Sequence, residues 1–336
     1  MQTMRTRIAT RCRRAFTLVE LVTAMAITAV LVVVIMQLTN HSISLWKILR
    51  EDTSSADTSR LALQTLSRDL ESFQMRSDDS NKFQWFFSEV DTPMRGVPRG
   101  LSIPRSARCV FFACAPDRNP AVSSTPASMR SSYRDMRASS DKYQGDVSAI
   151  GYRLLFRDHI LNLPARNGDT ETFPLFSLYR NIVSPRDTFE NLLCKDDLRS
   201  SYSQYQSSEE KHFLCENIIE LSITFTIQYL DESSGSGDES GSPTYLTMQV
   251  PLLSSNANRG VRSFSLYSDH AEMEGGRNLQ NARIVSAEIS MTVLTEEGVA
   301  LVEQVRQGQR RAPKLEDFFS RYTRSFSRSV ALPQPL

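Results

Sequence analysis

Between Phe16 and Pro93 the chain has neither glycine nor proline, so nothing there breaks a helix through backbone freedom or a missing N–H donor. From Leu21 to Trp46 it has no charged residue, counting His41 as neutral, which excludes a helix with a solvated face over that stretch. The first fifteen residues lack acids. Glycine is sparse, at 13 of 336 residues, and no phosphate-cradling loop occurs. Only four histidines are present, His41, His159, His212 and His270, with no accompanying serine or carboxylate pattern of a triad. Charge of one sign is lacking too: 39 Lys+Arg stand against 38 Asp+Glu, so bulk electrostatics give no reason to expect a nucleic-acid partner. These absences point to a non-catalytic chain with no cofactor and no catalytic or metal site.

What is present begins with five arginines, Arg5, Arg7, Arg11, Arg13 and Arg14, followed by a long apolar run containing LVTAMAITAVLVVVIM. About 20 apolar residues cross a bilayer as a helix. An Arg-rich end stays cytoplasmic by the positive-inside tendency, which sends the rest of the chain to the other side. A secretory signal has a shorter apolar region and a small-residue cleavage site, which Gln37, Leu38, Thr39 and Asn40 do not provide.

The junction reads Arg13-Arg14-Ala15-Phe16-Thr17-Leu18-Val19-Glu20-Leu21. One carboxylate at the head of an apolar helix costs about 2.5–3.5 kcal/mol at mid-membrane, so it needs a partner. Ala-Phe-Thr-Leu-Val-Glu followed by an apolar helix resembles the type IV prepilin cleavage and methylation motif of pilins and type II secretion pseudopilins. The resemblance implies that a prepilin peptidase cuts between Ala15 and Phe16 and methylates the new Phe16 amine. It also implies that Glu20 pairs with the Phe16 amine of a neighbouring subunit, two charges that need each other in low dielectric. Ala15 stands where the family usually has glycine. Leu21, Val22, Ala26, Ile27, Val30, Leu31 and Val34 are then the helix-packing residues of a filament. The implied partners are the peptidase, other minor and major pilin-like subunits, an inner-membrane assembly platform and the membrane itself. The implied location is the inner membrane, single-pass, with the C-terminal domain periplasmic or on a filament.

After the polar run 51–55, apolar residues at Ala56, Leu63, Leu66, Leu70 and Phe73 lie on one helical face. One continuous helix from about Phe16 to about Phe73 is expected, its second half docked on a sheet. Beyond it the period becomes two: Ile219, Leu221, Ile223, Phe225, Ile227 and Tyr229 alternate with polar residues, as do Ala287, Ile289, Met291 and Val293. Shorter strand candidates are residues 83–87, 109–114, 149–156, 175–179 and 245–250. Such half-buried strands form antiparallel sheet. The expected fold is α+β, a long N-terminal helix with a transmembrane first half, packed on a mainly antiparallel β domain. The divisions are a basic leader at 1–15, a transmembrane helix at 16–38, its amphipathic continuation at 39–76, an extracytoplasmic β domain at 77–302 and a tail at 303–336. In the tail Leu315, Phe318, Phe319, Tyr322 and Phe326 have the helical spacing of a candidate amphipathic helix.

Residues 123–142, 231–243 and 256–281 read as long polar loops. The second has four carboxylates but no EF-hand spacing. Cys12 leaves with the leader, and Cys109 and Cys114 on one strand lie about 16 Å apart, beyond bonding reach. Cys194 and Cys215 bracket a polar insertion and are the candidate disulfide. Arg95, Arg99, Arg105, Arg108, Arg118, Arg130, Arg134 and Arg137 make a locally basic region.

Within the family, a chain this long resembles a minor rather than a major subunit. Residues 59–70 are similar to the helix after the membrane segment of J-type minor pseudopilins, and Ile150-Gly-Tyr-Arg-Leu-Leu, Leu178-Tyr-Arg and the run 285–298 are similar to that family's strands. The C component of Verrucomicrobia pilin-like cassettes shares the same leader and large outer domain. Retention of Glu20 departs from the K-type tip subunit. The resemblance implies assembly into a short pilus-like filament of a type II secretion or related system. The competing reading is a minor type IV pilin whose outer domain binds a ligand, in adhesion or DNA uptake.

Overall fold

A computed structural model describes residues 17–75, 83–101, 103–114, 147–165, 171–205, 212–230, 245–252, 261–274 and 277–333. The leader, Cys12, Ala15, Phe16, Arg118, Arg130, Arg134, Arg137 and the expected loops 123–142 and 231–243 lie outside the described residues. The chain divides into two compact units, residues 1–51 and 52–336.

The first helix, α1, runs from Leu18 to Glu71, 54 residues and about 81 Å at 1.5 Å per residue. In the second unit one face of it is buried, with Ser59, Ala62, Leu63, Leu66, Asp69 and Leu70 on it. Ala56, expected on that face, is only half-buried. The helix stops where the chain meets a sheet: Phe73 bridges Ala113, and Gln74 N–H donates to the Phe112 carbonyl at 2.8 Å.

Strands β1 (Gln84–Val90), β2 (Ala107–Cys114), β3 (Val147–Asp158), β4 (Leu163–Pro164), β5 (Leu175–Ile182), β6 (Phe213–Glu216), β9 (Ser263–Tyr267), β10 (His270–Met273) and β11 (Arg277–Gln280) form one sheet, ordered β11-β10-β9-β1-β2-β3-β5-β6 with β4 beside β3. A second sheet is ordered β13-β12-β7-β8, from β7 (Ile218–Leu230), β8 (Tyr245–Leu252), β12 (Arg283–Leu294) and β13 (Thr323–Ala331). Every pairing between these strands is antiparallel. The fold is therefore α+β, as the change of period from helical to two-residue implies.

The two sheets and the end of α1 share one core. Phe86 of β1 meets Phe225 of β7 edge-on at 5.0 Å, Phe225 stacks on Phe264 of β9 at 5.4 Å, and Phe73 meets Phe86 edge-on at 6.0 Å. On β7, Leu221, Ile223, Phe225 and Ile227 are buried while the residues between them are half-buried. A second cluster forms where α3 (Glu296–Arg306) and α4 (Leu315–Tyr322) bring Leu301, Val302, Val305 and Phe318 onto Phe156, Phe176, Ile219 and Leu294. A third covers the other face of the first sheet, where α2 (Leu198–Tyr202) and the helical turn before it place Leu192, Leu198 and Tyr202 on Phe87, Val110, Phe112 and Ala149.

Two expectations are corrected. Residues 256–281 are not one long loop: β9, β10 and β11 form a meander whose Phe264, Leu266, Ala271, Met273 and Leu279 are buried. The tail is not one amphipathic helix. Leu315, Phe318, Phe319 and Tyr322 lie on α4, but Phe326 belongs to β13 and pairs with Met291. The polar alternation of Ser325, Ser327 and Ser329 suits an edge strand with one wet face.

Candidate assembly helix and its anchorage

The site is built on α1. Leu18 to Trp46, 29 residues, is long and apolar enough to cross a membrane, and none of that stretch is buried within the chain. Of the expected packing residues, Leu21, Val22, Ile27, Val30, Leu31 and Val34 are large exposed apolar side chains, and Ala26 is exposed among them. Hydroxyl side chains of the run bond within the helix. Thr23, Thr28, Thr39, Ser42 and Ser44 donate to carbonyls one turn back, at 2.8 to 3.0 Å. That removes the cost of an unpaired hydroxyl in hydrocarbon.

At its start α1 has a reciprocal cap that the sequence reading missed. Glu20 Oε2 accepts from Thr17 N–H at 3.0 Å and from Thr17 Oγ1 at 3.1 Å, while Thr17 Oγ1 accepts from Glu20 N–H at 3.2 Å. This is a capping box, and the T-x-x-E spelling ahead of an apolar run is its sequence signature. Glu20 is thus held at the positive end of the helix dipole, where a carboxylate is favoured. Ala15 and Phe16, the expected processing pair, lie outside the described residues.

The anchored end of α1 carries a buried polar clamp that was also missed. Asp69 is fully buried and accepts from Tyr152 Oη of β3 at 2.5 Å and from Arg180 of β5, Nε at 2.6 Å and Nη2 at 2.8 Å. Bidentate pairing fixes both distance and orientation. Burial, then the adjacent Asp69 carboxylate, pushes the Tyr152 hydroxyl well above its ordinary range, so it stays a donor. Asp69, Tyr152 and Arg180 come from α1, β3 and β5, and the clamp ties these three elements together.

Cys194 and Cys215 are free thiols, so the expected Cys194–Cys215 bridge is not formed. Cys194 is exposed in a left-handed backbone turn (φ 64°), whereas Cys215 is buried on β6 opposite Leu178. Burial pushes both Cys109 and Cys215 up to about 12. Among the histidines, His41 lies on α1, His159 stacks on Phe213, His212 is buried, and His270 stacks on Tyr267 beside Asp269. Among the described residues no group of three or more His, Cys, Asp or Glu could hold a metal ion. Of the basic region, Arg108 pairs with Glu89, and Arg95 and Arg108 line a cleft.

Among the described residues one helix of membrane-spanning length precedes an antiparallel β domain in an α+β arrangement, and that apolar helix fits membrane anchoring. A family model described as the prokaryotic N-terminal methylation motif matches residues 10–36. That match takes in the Ala15–Phe16 junction and Glu20, and supports a type IV pilin-like protein, processed by prepilin peptidase and assembling with other pilin subunits. Proteins with this motif are in general structural subunits rather than catalysts. No curated protein and no solved structure shows significant similarity to the chain.

Proposed function

We propose that the protein is a minor pilin-like subunit of a type II secretion or related system, built into a short pilus-like filament. The observation that carries this is the methylation motif at residues 10–36 running directly into an apolar helix whose residues from Leu18 to Trp46 are not buried. Prepilin peptidase cuts between Ala15 and Phe16 and methylates the Phe16 amine, leaving a cation at the head of the helix. Glu20 then serves two partners: its own helix start through Thr17, and the Phe16 amine of the neighbouring subunit. A mispaired register leaves both charges in low dielectric, which costs several kcal/mol per ion, so the pair selects the register. Leu21, Val22, Ala26, Ile27, Val30, Leu31 and Val34 pack against neighbouring helices. Before processing, the Arg-rich end is cytoplasmic and the β domain, residues 77–302, is on the far side of the inner membrane. The length of the chain and the likeness of residues 59–70 to J-type minor pseudopilins support a minor rather than a major position.

The deciding experiment is expression with and without a prepilin peptidase, followed by mass spectrometry of the N-terminus. The expected product begins at methylated Phe16 and forms only with the peptidase. An intact leader, or a cut elsewhere, overturns the assignment.

A further inference from the structure

The face of the first sheet turned away from α1 is covered only in part. Its apolar cover ends at Tyr202, whose hydroxyl and ring occupy the place a β-carbon on Gly151 would take. Beyond Tyr202 the same face opens into a cleft of about 450 Å³, floored by β2, β3 and β5. That volume lies in the range of small-ligand sites, roughly 300–1,000 Å³.

The charges in the cleft are unequal. Among the described residues Arg95, Arg108, Arg153 and Arg157 line it, against one lining carboxylate, Asp91. Asp91 is engaged by Arg153, with Nε at 2.6 Å and Nη2 at 3.2 Å. Glu89 holds Arg108. Arg157 differs: its Nη2 donates only to the neutral carbonyl and side-chain oxygens of Asn162, each at 2.5 Å. Its Nε is buried without a protein partner, as are the Arg108 Nε and the Tyr179 hydroxyl in the same cleft. Buried donors of this kind are rare in native proteins and call for an acceptor, the more so when one belongs to a cation that no carboxylate among the described residues pairs.

We propose that this cleft binds a small molecule through a carboxylate, which takes the free hydrogen-bonding capacity of Arg157 and Tyr179 while its body rests against Leu155 and Pro164. A guanidinium with no carboxylate partner calls for negative charge, and the planar fork of Arg157 matches a carboxylate. The site is on the β domain and does not depend on the filament assignment.

The test is calorimetric titration of the full chain in detergent micelles with glucuronate and with N-acetylglutamate, against glucose and inorganic phosphate as controls. Saturable 1:1 binding of one carboxylate is expected, weakened about tenfold or more in both Arg157→Gln and Tyr179→Phe, since a hydrogen bond to a charged group contributes about 1.5–3 kcal/mol. Whichever carboxylate binds tells whether the ligand is of the sugar-acid or amino-acid kind. Tyr179→Phe keeps the buried ring and tests the site even if Arg157→Gln does not fold. No heat with either carboxylate, tighter binding of phosphate, or binding unchanged by Tyr179→Phe overturns the proposal.

Discussion

The two halves of α1 share one backbone geometry and stand in opposite relations to their surroundings. In the first, apolar side chains are exposed all round, Leu31 at 53% and Ile27 at 62%. In the second, a single stripe is buried, with Leu66 and Leu70 at 0%. An all-round apolar helix needs lipid or neighbouring helices, whereas a one-sided helix needs only its own sheet. Hydrophobicity alone therefore does not tell where a helix is buried; its angular distribution does.

The comparison breaks most sharply at the clamp. Asp69→Ala leaves Arg180 buried and unpaired, and unfolding of the full chain in detergent should lose about 3–5 kcal/mol. Adding Arg180→Met should recover part of that loss. An unchanged denaturant midpoint in Asp69→Ala would mean that the clamp does not hold α1 to the sheet. Next come matched truncations in the two halves. Leu66→Ala should cost about 2–5 kcal/mol, whereas Leu31→Ala should leave the melting of the β domain unchanged. Equal effects would erase the distinction between the halves.

A smaller effect is expected on the sheet's other face. Gly151→Ala forces Tyr202 off β3 and should cost about 1–3 kcal/mol by overpacking, read by thermal denaturation. Stability should also fall with alkali. Cys109 and Cys215 are raised from 9.0 to about 12, so their contribution is intact below about pH 9 and is lost as pH rises toward 12. Over that window the unfolded chain ionises first, and each thiol removes about 1.4 kcal/mol per pH unit. Unfolding midpoints at pH 8 and pH 10 should show the fall, and Cys109→Ala should flatten it. Smallest is Thr17→Ala, which removes the cap for about 0.5–2 kcal/mol. Faster amide exchange in the first turn of α1, with no change in domain melting, is the expected signature.

Much of this architecture is legible in the sequence. The missing Gly and Pro after Phe16 announce α1, and clean alternation announces β7 and β12. The β9–β11 meander is not legible because its strands are four or five residues long, too short for alternation to stand out from polar loop composition. Phe326 sits seven residues after Phe319, a spacing that fits a helix face, and only the pairing with β12 decides otherwise. Asp69 is the hardest case. Within a helix rich in Ser, Thr and Arg it reads as solvated, and its partners lie 83 and 111 residues away. The cap, by contrast, is spelled out by Thr17 and Glu20 and needed only the right template.

The passage from β6 to β7 takes one residue, Asn217, in a left-handed conformation at φ 66°. Its carbonyl accepts from Leu294 N–H, at the end of β12, at 2.7 Å. The edge strand of one sheet thus becomes a central strand of the other across one intervening residue, two steps of about 3.8 Å each between α-carbons. So short a tether leaves no slack for one sheet to melt while the other stands. The domain should lose its structure in one cooperative step, with calorimetric and van't Hoff enthalpies in agreement.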